Sequence, residues 1–468
     1  MSKSKRSFMK KQILKAAAII SAAAAFAGGV ENKTNMSTGY LRNPSRNTEN
    51  ERPEAAFYNI AGTAFMKEGL YIEAGNQFVF KEYGNELKTG NAFASYGIYD
   101  YYSNDETTVY LYPNADIVFK KNRWSIFANF GVYAGGGALS YSEGTSATTL
   151  MFLSGAKTCK AEAEKYAYVA GAAAAQGETA LAESYNSSYQ TYGKAAVAAL
   201  AMAKNHSLDV TSITYGGQLG ASFQVFDWLS LAAAFRYVTG TQDMQLTCND
   251  IVFMALNGGN TISYNARGFG ESCVFGVHVK PPFASNLDVA LQYQTLSRIA
   301  YDVSDVEGNV APFFGITSDK TFRTDLPAVL NFGLGYKIVE PLYLSASFNY
   351  YFNNFADQDS ILTETNYDNS WELAFGADWR ICKVLSMSAG FEYGKQGITS
   401  KSNSTFNPVL DSFVVGGGIE IYPHEKFVIT AAYMYCKYFD ADYSLSSIKT
   451  ELSKKISMCS IGLTYKPF

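Results

Sequence analysis

Histidines and paired acidic or nucleophilic groups are the side chains that most often do chemistry in proteins, and this sequence offers few of them. Its three histidines, His206, His278 and His424, lack the spacing of metal ligands. A hydrolase would need a nucleophile oriented by a base. His278, in the stretch VFGVHVKP, has no such partner that the sequence identifies. We therefore expect a structural His278, no metal, no cofactor and no enzymatic activity.

The six cysteines, at positions 159, 248, 273, 382, 436 and 459, have neither CxxC spacing nor the density of a disulfide framework. Most are therefore expected to be unbridged small residues. In an oxidising compartment one bridge stays open as an alternative, between Cys248 and Cys273.

Arg236 is the charged side chain with the clearest potential for binding. It lies on the face of its segment opposite to the apolar residues, which are Leu229, Leu231, Ala233, Phe235 and Tyr237. A guanidinium there could bind a carboxylate through two parallel hydrogen bonds. The alternative is an ion pair within the protein, with Glu372, Asp378 or Glu392 as the acidic partner.

Alternation of apolar and polar residues is the strongest pattern in the chain. In LYLSASFNYYFN, at residues 342–353, every second residue is apolar or aromatic. Because the side chains of a strand alternate between its faces, such a segment separates an apolar environment from a polar one. Many segments are as long as the roughly 9–11 residues that cross a bilayer at a tilt. A soluble β-sandwich, the alternative, has shorter strands.

We predict about fourteen antiparallel strands and an all-β transmembrane fold, a β-barrel of the bacterial outer membrane. Short connections alternate with long ones, as in barrels that have short periplasmic turns and long external loops. The C-terminal stretch SIGLTYKPF resembles the signal read by the outer-membrane assembly machinery. The predicted strands lie near residues 70–82, 108–120, 123–134, 208–226, 228–242, 268–280, 285–300, 322–337, 341–353, 367–381, 384–398, 411–422, 425–441 and 455–468.

The composition agrees with a membrane barrel. Charged residues make up only 17% of the chain and aromatic residues 15%. After the first residues there is no apolar run of the length of a transmembrane helix. The formal net charge of -4 gives no basic surface for nucleic acid, so nucleic acid is not expected as a partner.

The N-terminal segment divides into two parts. Residues 1–27 have the features of a secretory signal peptide, with basic residues before the stretch AAAIISAAAAFA and small residues for cleavage at Ala25 and Ala27. Residues 28–69 are too long and irregular to be a simple lead-in to a strand. We expect them to form a plug inside a barrel of residues 70–468.

Residues 145–206 are rich in alanine and predict a helical external loop. This segment contains an apolar run, Leu150, Met151, Phe152 and Leu153. In a loop that faces water, an exposed apolar run would mark a binding site. Packing of the run against the loop's own helices is an equal alternative.

Several stretches resemble the FadL/TodX family, outer-membrane transporters of long-chain fatty acids and other hydrophobic compounds. SRNTENERPEAAFYNIAGTAFMKEGLYIEAG is similar to the end of the family's N-terminal hatch. Asn59, Ile60, Ala61 and Gly62 match its Asn-Pro-Ala-Gly-like motif, with Ile60 in place of proline. VYLYPNADIVFKKNRWSIFANFGVY, LSLAAAFRYVTG and TDLPAVLNFGLGY resemble later strands, and the matches follow the family's order across nearly the whole mature chain.

The resemblance implies passive uptake of hydrophobic molecules, most of all long-chain fatty acids. Ligand would land on the helical loop, move to a pocket in the barrel and leave when the hatch shifts. A kink in the third strand would open a lateral path. Gly135, Gly136 and Gly137 are expected to end this strand, although their missing side chains would also permit a bulge. The other partners would be outer-membrane lipids, and the protein would be a monomer.

Two other functions remain open at this point. One is a structural or adhesive surface barrel that binds no ligand. The other is a diffusion porin for polar solutes, which would need an unobstructed pore. The expected plug at residues 28–69 argues against the porin.

Overall fold

The computed structural model describes residues 35–90, 93–314, 316–359, 367–397, 409–445 and 448–468, and these residues form a closed antiparallel β-barrel. Its fourteen strands over the described residues are β1 Gly69–Lys88, β2 Tyr101–Asp105 with Thr108–Lys121, β3 Trp124–Tyr141, β4 Ser207–Phe226, β5 Leu229–Thr247, β6 Thr261–Val279, β7 Leu287–Gln294 with Ala300–Glu307, β8 Thr321–Arg323 with Val329–Val339, β9 Leu342–Tyr351, β10 Ser370–Cys382, β11 Leu385–Lys395, β12 Ser412–His424, β13 Phe427–Tyr438 with Ala441–Leu445, and β14 Ile448–Tyr465.

Each strand pairs with its neighbour in sequence, and the last strand pairs with the first. The β1–β14 register runs from Ile72 opposite Tyr465 to Lys88 opposite Lys449. This pairing removes the free edges, as a barrel in hydrocarbon requires. The predicted fold class is therefore confirmed, with one strand at each predicted position.

Several strands, among them β1, β3, β5 and β6, extend further outward than the alternation pattern predicted, whereas β9, β10 and β11 stop short of their predicted outer ends. Strand β6, for example, begins at Thr261 instead of near residue 268. Its outer part places Ser263, Asn265 and Arg267 on the outward face, where the inner part places Phe275 and Val277. Polar outward residues abolish the alternation, so sequence patterning ends where the apolar band ends.

The two faces of the barrel differ as predicted from LYLSASFNYYFN. Leu344 is exposed on the outward face of β9, whereas Ser345, Ser347 and Asn349 are buried on the inward face. None of the helices in the described part of the chain has the length and hydropathy needed to cross a membrane.

Residues 35–68 lie inside the barrel and confirm a plug. Their two short helices are α1 Thr38–Arg42 and α2 Ala55–Tyr58, followed by a 3-10 turn at Gly62–Phe65. Almost every residue of the segment is buried. The expected signal peptide and the first residues of the expected plug, 28–34, lie outside the described residues.

The external loop between β3 and β4 is helical, as predicted. It consists of α3 Ser146–Ala175 and α4 Thr179–Lys204, and a further short helix, α5 Ile251–Asn257, lies in the loop between β5 and β6. Thr145 caps α3 in a capping box with Thr148. This cap fixes where the helix starts at the mouth of the barrel.

The glycine triplet does not end the third strand, so that expectation was wrong. Strand β3 continues through Gly135, Gly136 and Gly137 to Tyr141, with register shifts between Val132 and Gly137. Gly135 has φ 91° and Gly137 has φ 78°, a region that glycine adopts readily. The triplet therefore forms a bulge within the strand.

The open alternative of a disulfide is not realised. Cys248 is buried and Cys273 is exposed, and both are free. Cys248 directly follows the end of β5, whereas Cys273 lies in the middle of β6.

Candidate ligand-binding site in the barrel

Three arginines of the plug form ion pairs with two inward carboxylates of the barrel wall. Arg42 and Arg46 each approach Asp378 of β10 to 2.9 Å. Arg52 donates two hydrogen bonds to Glu420 of β12, at 2.7 and 2.6 Å. Bidentate pairs of this kind combine charge with fixed geometry. They hold the plug to one side of the barrel.

These ion pairs are buried, so each charged group needs its partner. The Arg46 side chain is 3% exposed and also contacts Glu49 and Glu54, at 2.7 and 3.3 Å. Loss of one partner would leave buried charges uncompensated, which is costly in a protein interior. The network therefore specifies one position of the plug.

The predicted hatch turn, Asn59 to Gly62, lies on the opposite side of the lumen and is hydrogen-bonded to the wall. The Ile60 amide donates to Gln292 of β7 at 3.1 Å, and the Ala61 carbonyl accepts from Ser230 of β5 at 2.7 Å. The Asn59 side chain accepts from the Gly62 amide at 3.1 Å. This local bond closes the turn without the proline of the family motif.

His278 of β6 connects the hatch turn to the wall. Its Nδ1 accepts from the Asn59 side-chain amide at 2.7 Å, and its Nε2 donates to Asp288 of β7 at 2.8 Å. The imidazole is fully buried. Its two ring nitrogens are used in holding the plug, which agrees with the structural role expected for His278.

Arg236 points into the lumen, as its position in the alternation predicted. Its guanidinium donates to Gln218 Oε1 at 2.7 and 3.1 Å and to Gln294 Oε1 at 2.6 Å. Within the described part of the chain Arg236 forms no ion pair, so its positive charge is met only by neutral acceptors.

The acidic residues proposed as partners of Arg236 are engaged elsewhere. Asp378 binds the plug arginines, and Glu392 accepts from Tyr40 at 2.9 Å. Glu372 accepts from Asn349 at 3.1 Å and Tyr351 at 2.6 Å. The alternative of an internal ion pair for Arg236 is therefore wrong. The three carboxylates lie on β10 and β11, away from β5.

Two aromatic rings complete the surroundings of Arg236. The guanidinium carbon lies 4.6 Å from the centre of the Tyr133 ring and 5.4 Å from that of Phe57. The two rings contact edge to face, with centroids 5.6 Å apart. Tyr133 comes from β3 and Phe57 from the plug, so a cation–π contact joins wall, plug and bulged strand.

These groups line a cavity, which we call the Arg236 cavity. Its wall also includes Tyr58, Ser272, Thr295, Ser297, Leu326 and Pro327. The free space is about 30 Å³, which is room for roughly two water molecules. Apolar rings and one unpaired guanidinium suit a molecule with an apolar body and an anionic end. Such a molecule would fit only after the plug or the rings move.

The wall beside this cavity is incomplete at β3. Strand β2 pairs with β3 only from Lys121 opposite Trp124 to Ala115 opposite Phe130. Beyond Phe130, one contact between β3 and β2 is a hydrogen bond from the Ser140 amide to the Asp105 carboxylate, at 2.7 Å. The glycine bulge thus coincides with a stretch of the wall in which β2 and β3 are not paired.

The apolar run Leu150, Met151, Phe152 and Leu153 is not an exposed patch. It forms the second turn of α3, and its residues are at most 5% exposed. The run packs into the outer mouth with residues of the strand ends, among them Leu139, Tyr141 and Tyr264. It therefore covers the lumen from outside and is not a free landing surface.

His206 holds this cover in place. Its Nε2 is 2.5 Å from Thr148 Oγ1, and its ring meets Phe152 edge to face at 5.1 Å. Burial lowers the pKa of His206 to about 4. The imidazole is therefore neutral at ordinary pH.

Sequence reasoning missed most partners of Arg236. Phe57, Tyr133 and Gln294 come from the plug and from strands distant in sequence. Gln218 and Arg236 are directly opposite in the β4–β5 register. The alternation predicts that both side chains point inward, but it does not predict that the two residues lie opposite each other.

Comparisons with known proteins agree with this architecture. The family model described as outer membrane protein transport protein (OMPP1/FadL/TodX) matches residues 144–462, more than half of the chain. A search of curated proteins finds no match.

Solved structures are similar to the chain over nearly its whole length. A Pseudomonas aeruginosa FadL homologue has 14% identity and a TM-score of 0.64, covering 95% of this chain and 99% of that chain. The Pseudomonas putida toluene transporter TodX has 13% identity and a TM-score of 0.59, covering 94% and 99%. The Ralstonia pickettii toluene transporter TbuX has 12% identity and a TM-score of 0.53, covering 94% and 100%. At these identities the likeness shows a shared fold.

Proposed function

Because the chain belongs to the OMPP1/FadL/TodX family of outer membrane transport proteins, we propose that it carries hydrophobic molecules passively through the Arg236 cavity, with long-chain fatty acids as its ligands. The observation that carries the choice of ligand is Arg236, a buried guanidinium with neutral acceptors only. A fatty carboxylate would replace a glutamine as its acceptor and form charge-assisted hydrogen bonds.

The apolar part of such a ligand would replace water and rearrange the rings of Phe57 and Tyr133. Each buried methylene contributes about 0.8 kcal/mol to binding. Because Phe57 belongs to the plug, binding in the cavity would act directly on α2 and the hatch turn. Movement of the plug, with Asn59, Ile60, Ala61 and Gly62 as the hatch, would then accompany binding or release.

For the route we propose three stages. The ligand enters past the cover formed by Leu150, Met151, Phe152 and Leu153, which would have to open. It then binds in the Arg236 cavity and leaves sideways at Gly135, Gly136 and Gly137, where β3 is bulged and not paired with β2.

A small aromatic hydrocarbon is a second candidate ligand. The edge-to-face rings of Phe57 and Tyr133 offer it a favourable environment, and two solved relatives are described as toluene transporters. Such a ligand has no anionic end, so its affinity would not depend on the charge of Arg236. This difference separates the two candidates.

Equilibrium binding to the detergent-purified protein tests the proposal. A fluorescent long-chain fatty acid is titrated and then competed with unlabelled fatty acid, toluene or a sugar. Saturable binding displaced by the fatty acid supports the proposal, whereas displacement by toluene without competition by fatty acid favours the second candidate. Absence of saturable binding would favour a structural or adhesive barrel. Permeability to the sugar in liposomes would favour a porin.

A further inference from the structure

Strand β7 has an interruption that is separate from the bulge in β3. Its two segments end at Gln294 and begin again at Ala300, and β8 is interrupted at the same level between Arg323 and Val329. Residues Val274–Val279 of β6 pair with the first segment of β7, and residues Ser263–Phe269 pair with the second segment. Gly270, Glu271 and Ser272 of β6 therefore lie beside residues 296–299 outside the ladder registers.

The interrupted segment is fixed to β8 but only weakly to β6. Ser297 and Leu326 exchange two backbone hydrogen bonds at 3.0 Å, and the Ile299 amide donates to the Asp325 carboxylate at 3.0 Å. On the β6 side, two hydrogen bonds join Thr295 to Cys273. The Thr295 amide donates to the Cys273 carbonyl, and the Thr295 hydroxyl accepts from the Cys273 amide, both at 2.9 Å. The seam between β6 and β7 above this pair is therefore a second weakly paired stretch of the wall, besides the one between β2 and β3.

Cavities lie on both sides of this seam. Thr295 lines the Arg236 cavity on the inside. It also lines a groove of about 580 Å³ on the outside, together with Phe269, Glu271, Tyr293 and Arg298. The backbone at Thr295 is thus a partition one residue thick between the two spaces.

The outer groove lies at the external edge of the apolar band. Below it, β6 presents Phe275 and Val277 outward, and above it Arg267 and Asn265. Tyr237 and Phe269 stack at this level, with ring centroids 6.3 Å apart, as expected of an aromatic girdle. The groove therefore faces the outer membrane–water interface.

The groove resembles the cavity behind it in combining apolar surface with a guanidinium, and it differs in one carboxylate, that of Glu271. Phe269, Tyr293 and Leu296 offer apolar surface, and Arg298 is an exposed guanidinium that forms no ion pair within the described part of the chain. Inside the wall, Arg236 has the same character. A molecule with an apolar body and an anionic end would meet a guanidinium on each side of the partition.

We propose that the seam between β6 and β7 at Thr295 is a second lateral passage, through which an amphipathic anion with an apolar chain moves between the outer membrane interface and the Arg236 cavity. This inference rests on the proposed function. The passage opens when residues 295–299 separate from residues 270–273, a movement that breaks the Thr295–Cys273 pair and meets no ladder pairing above it. Ser272 and Ser297 have buried hydroxyls without hydrogen-bond partners in the described chain, and both line the cavity.

A single substitution can clamp this seam. Thr295→Cys places a thiol opposite the native Cys273, at a cross-strand distance that a disulfide can span. The oxidised variant would hold β7 against β6, and a reductant would release it on the same protein. Mass spectrometry of the peptides would verify the bond. The control is Thr295→Cys with Cys273→Ser, in which oxidant forms no clamp.

The measurement is binding of a fluorescent long-chain fatty acid to the protein in liposomes, by stopped-flow and at equilibrium. A closed passage slows exchange without changing an equilibrium. We expect the oxidised variant to bind and release severalfold more slowly with an unchanged Kd, and the reductant to restore both rates. Arg298→Gln, which needs no disulfide, should also slow both rates at constant Kd.

Equal rates in the oxidised, reduced and control proteins would overturn the passage while leaving the proposed function standing, provided that the wild type binds saturably. Absence of saturable binding to the wild type would instead overturn both. Arg298→Gln could slow the rates in liposomes that contain anionic lipid and leave them unchanged in liposomes without it. That result would show that Arg298 holds a lipid head group, and it would also contradict the passage.

Discussion

The guanidinium of Arg236 lies 4.6 Å from the centre of the Tyr133 ring, although the two residues belong to strands on either side of β4. Tyr133 lies next to the bulge of β3, and its hydroxyl donates to Asn129 at 2.7 Å. The contact therefore places the Arg236 cavity against the part of β3 that lacks pairing with β2. A ligand that displaces the Tyr133 ring from Arg236 would act directly on this gap.

The plug ion pairs give the first prediction. Arg46→Met removes a buried guanidinium and leaves Asp378, Glu49 and Glu54 without it. We expect the local stability of the plug to fall by about 3–5 kcal/mol, since breaking a buried pair leaves uncompensated charge. Hydrogen exchange of the plug amides, followed by mass spectrometry, should accelerate while exchange in the barrel strands is unchanged.

The control for this variant is Arg123→Met. Arg123 pairs with Asp227 at 2.5 Å, but both side chains are exposed. An exposed pair contributes at most about 1 kcal/mol. Equal plug exchange in the wild type and Arg46→Met would mean that the ion pairs do not position the plug.

The bulge in β3 gives the second prediction. A side chain at Gly137 would meet Val109 at 2.9 Å, and its φ of 78° disfavours any other residue. Gly137→Ala should narrow the gap at a strain of about 1–2 kcal/mol. We expect slower release of a fluorescent fatty acid into liposomes at an unchanged Kd. Gly417→Ala is the matched control, because a methyl group there meets only the Ser388 carbonyl at 3.6 Å.

Release from Gly137→Ala at the wild-type rate would argue against lateral exit at β3. A Kd that fell in proportion to the release rate would mean that the substitution tightened binding in the cavity, and this too would argue against a closed exit at β3.

His206 gives a prediction about pH. Burial lowers its pKa to about 4 from an ordinary value near 6.5. Protons bind more readily when the cover is open, so acid favours opening. The stability that neutral His206 gives the cover is complete above about pH 6.5, and between about pH 6.5 and pH 4 the equilibrium constant for closing falls roughly tenfold per pH unit.

Hydrogen exchange of residues 145–153, corrected for the intrinsic pH dependence of exchange, measures this opening. In His206→Gln the pH dependence should disappear. A wild-type cover with the same opening constant at pH 7 and pH 5 would show that His206 does not control it.

The sequence predicted the barrel well because its signal is local. Alternation such as that of LYLSASFNYYFN depends only on which face of a strand meets lipid, so strand number and the inward phase of Arg236 followed directly. The plug and the helical loop were also predicted, since neither shows strand alternation. The predicted ends of strands were less accurate where outward residues such as Ser263 are polar.

The site itself depended on contacts between distant segments, which local patterns do not encode. Whether Gly135–Gly137 end a strand or bulge within it is decided by pairing with β4, about 75 residues further along the chain. The run Leu150–Leu153 looks the same in sequence whether it faces water or the barrel mouth. Register placed Gln218 and Gln294, and not an acidic residue, beside Arg236.

The most direct test of the account is the affinity of one charge-changing variant for two ligands. Arg236→Gln keeps the hydrogen-bonding character of the site and removes its positive charge, and Arg267→Gln, on the outward face of β6, serves as the control. Charge-assisted hydrogen bonds contribute about 1.5–3 kcal/mol. The account predicts that Arg236→Gln weakens equilibrium binding of a long-chain fatty acid by roughly 10- to 100-fold and leaves that of toluene nearly unchanged. Equal fatty acid affinity in the wild type and Arg236→Gln would contradict the account.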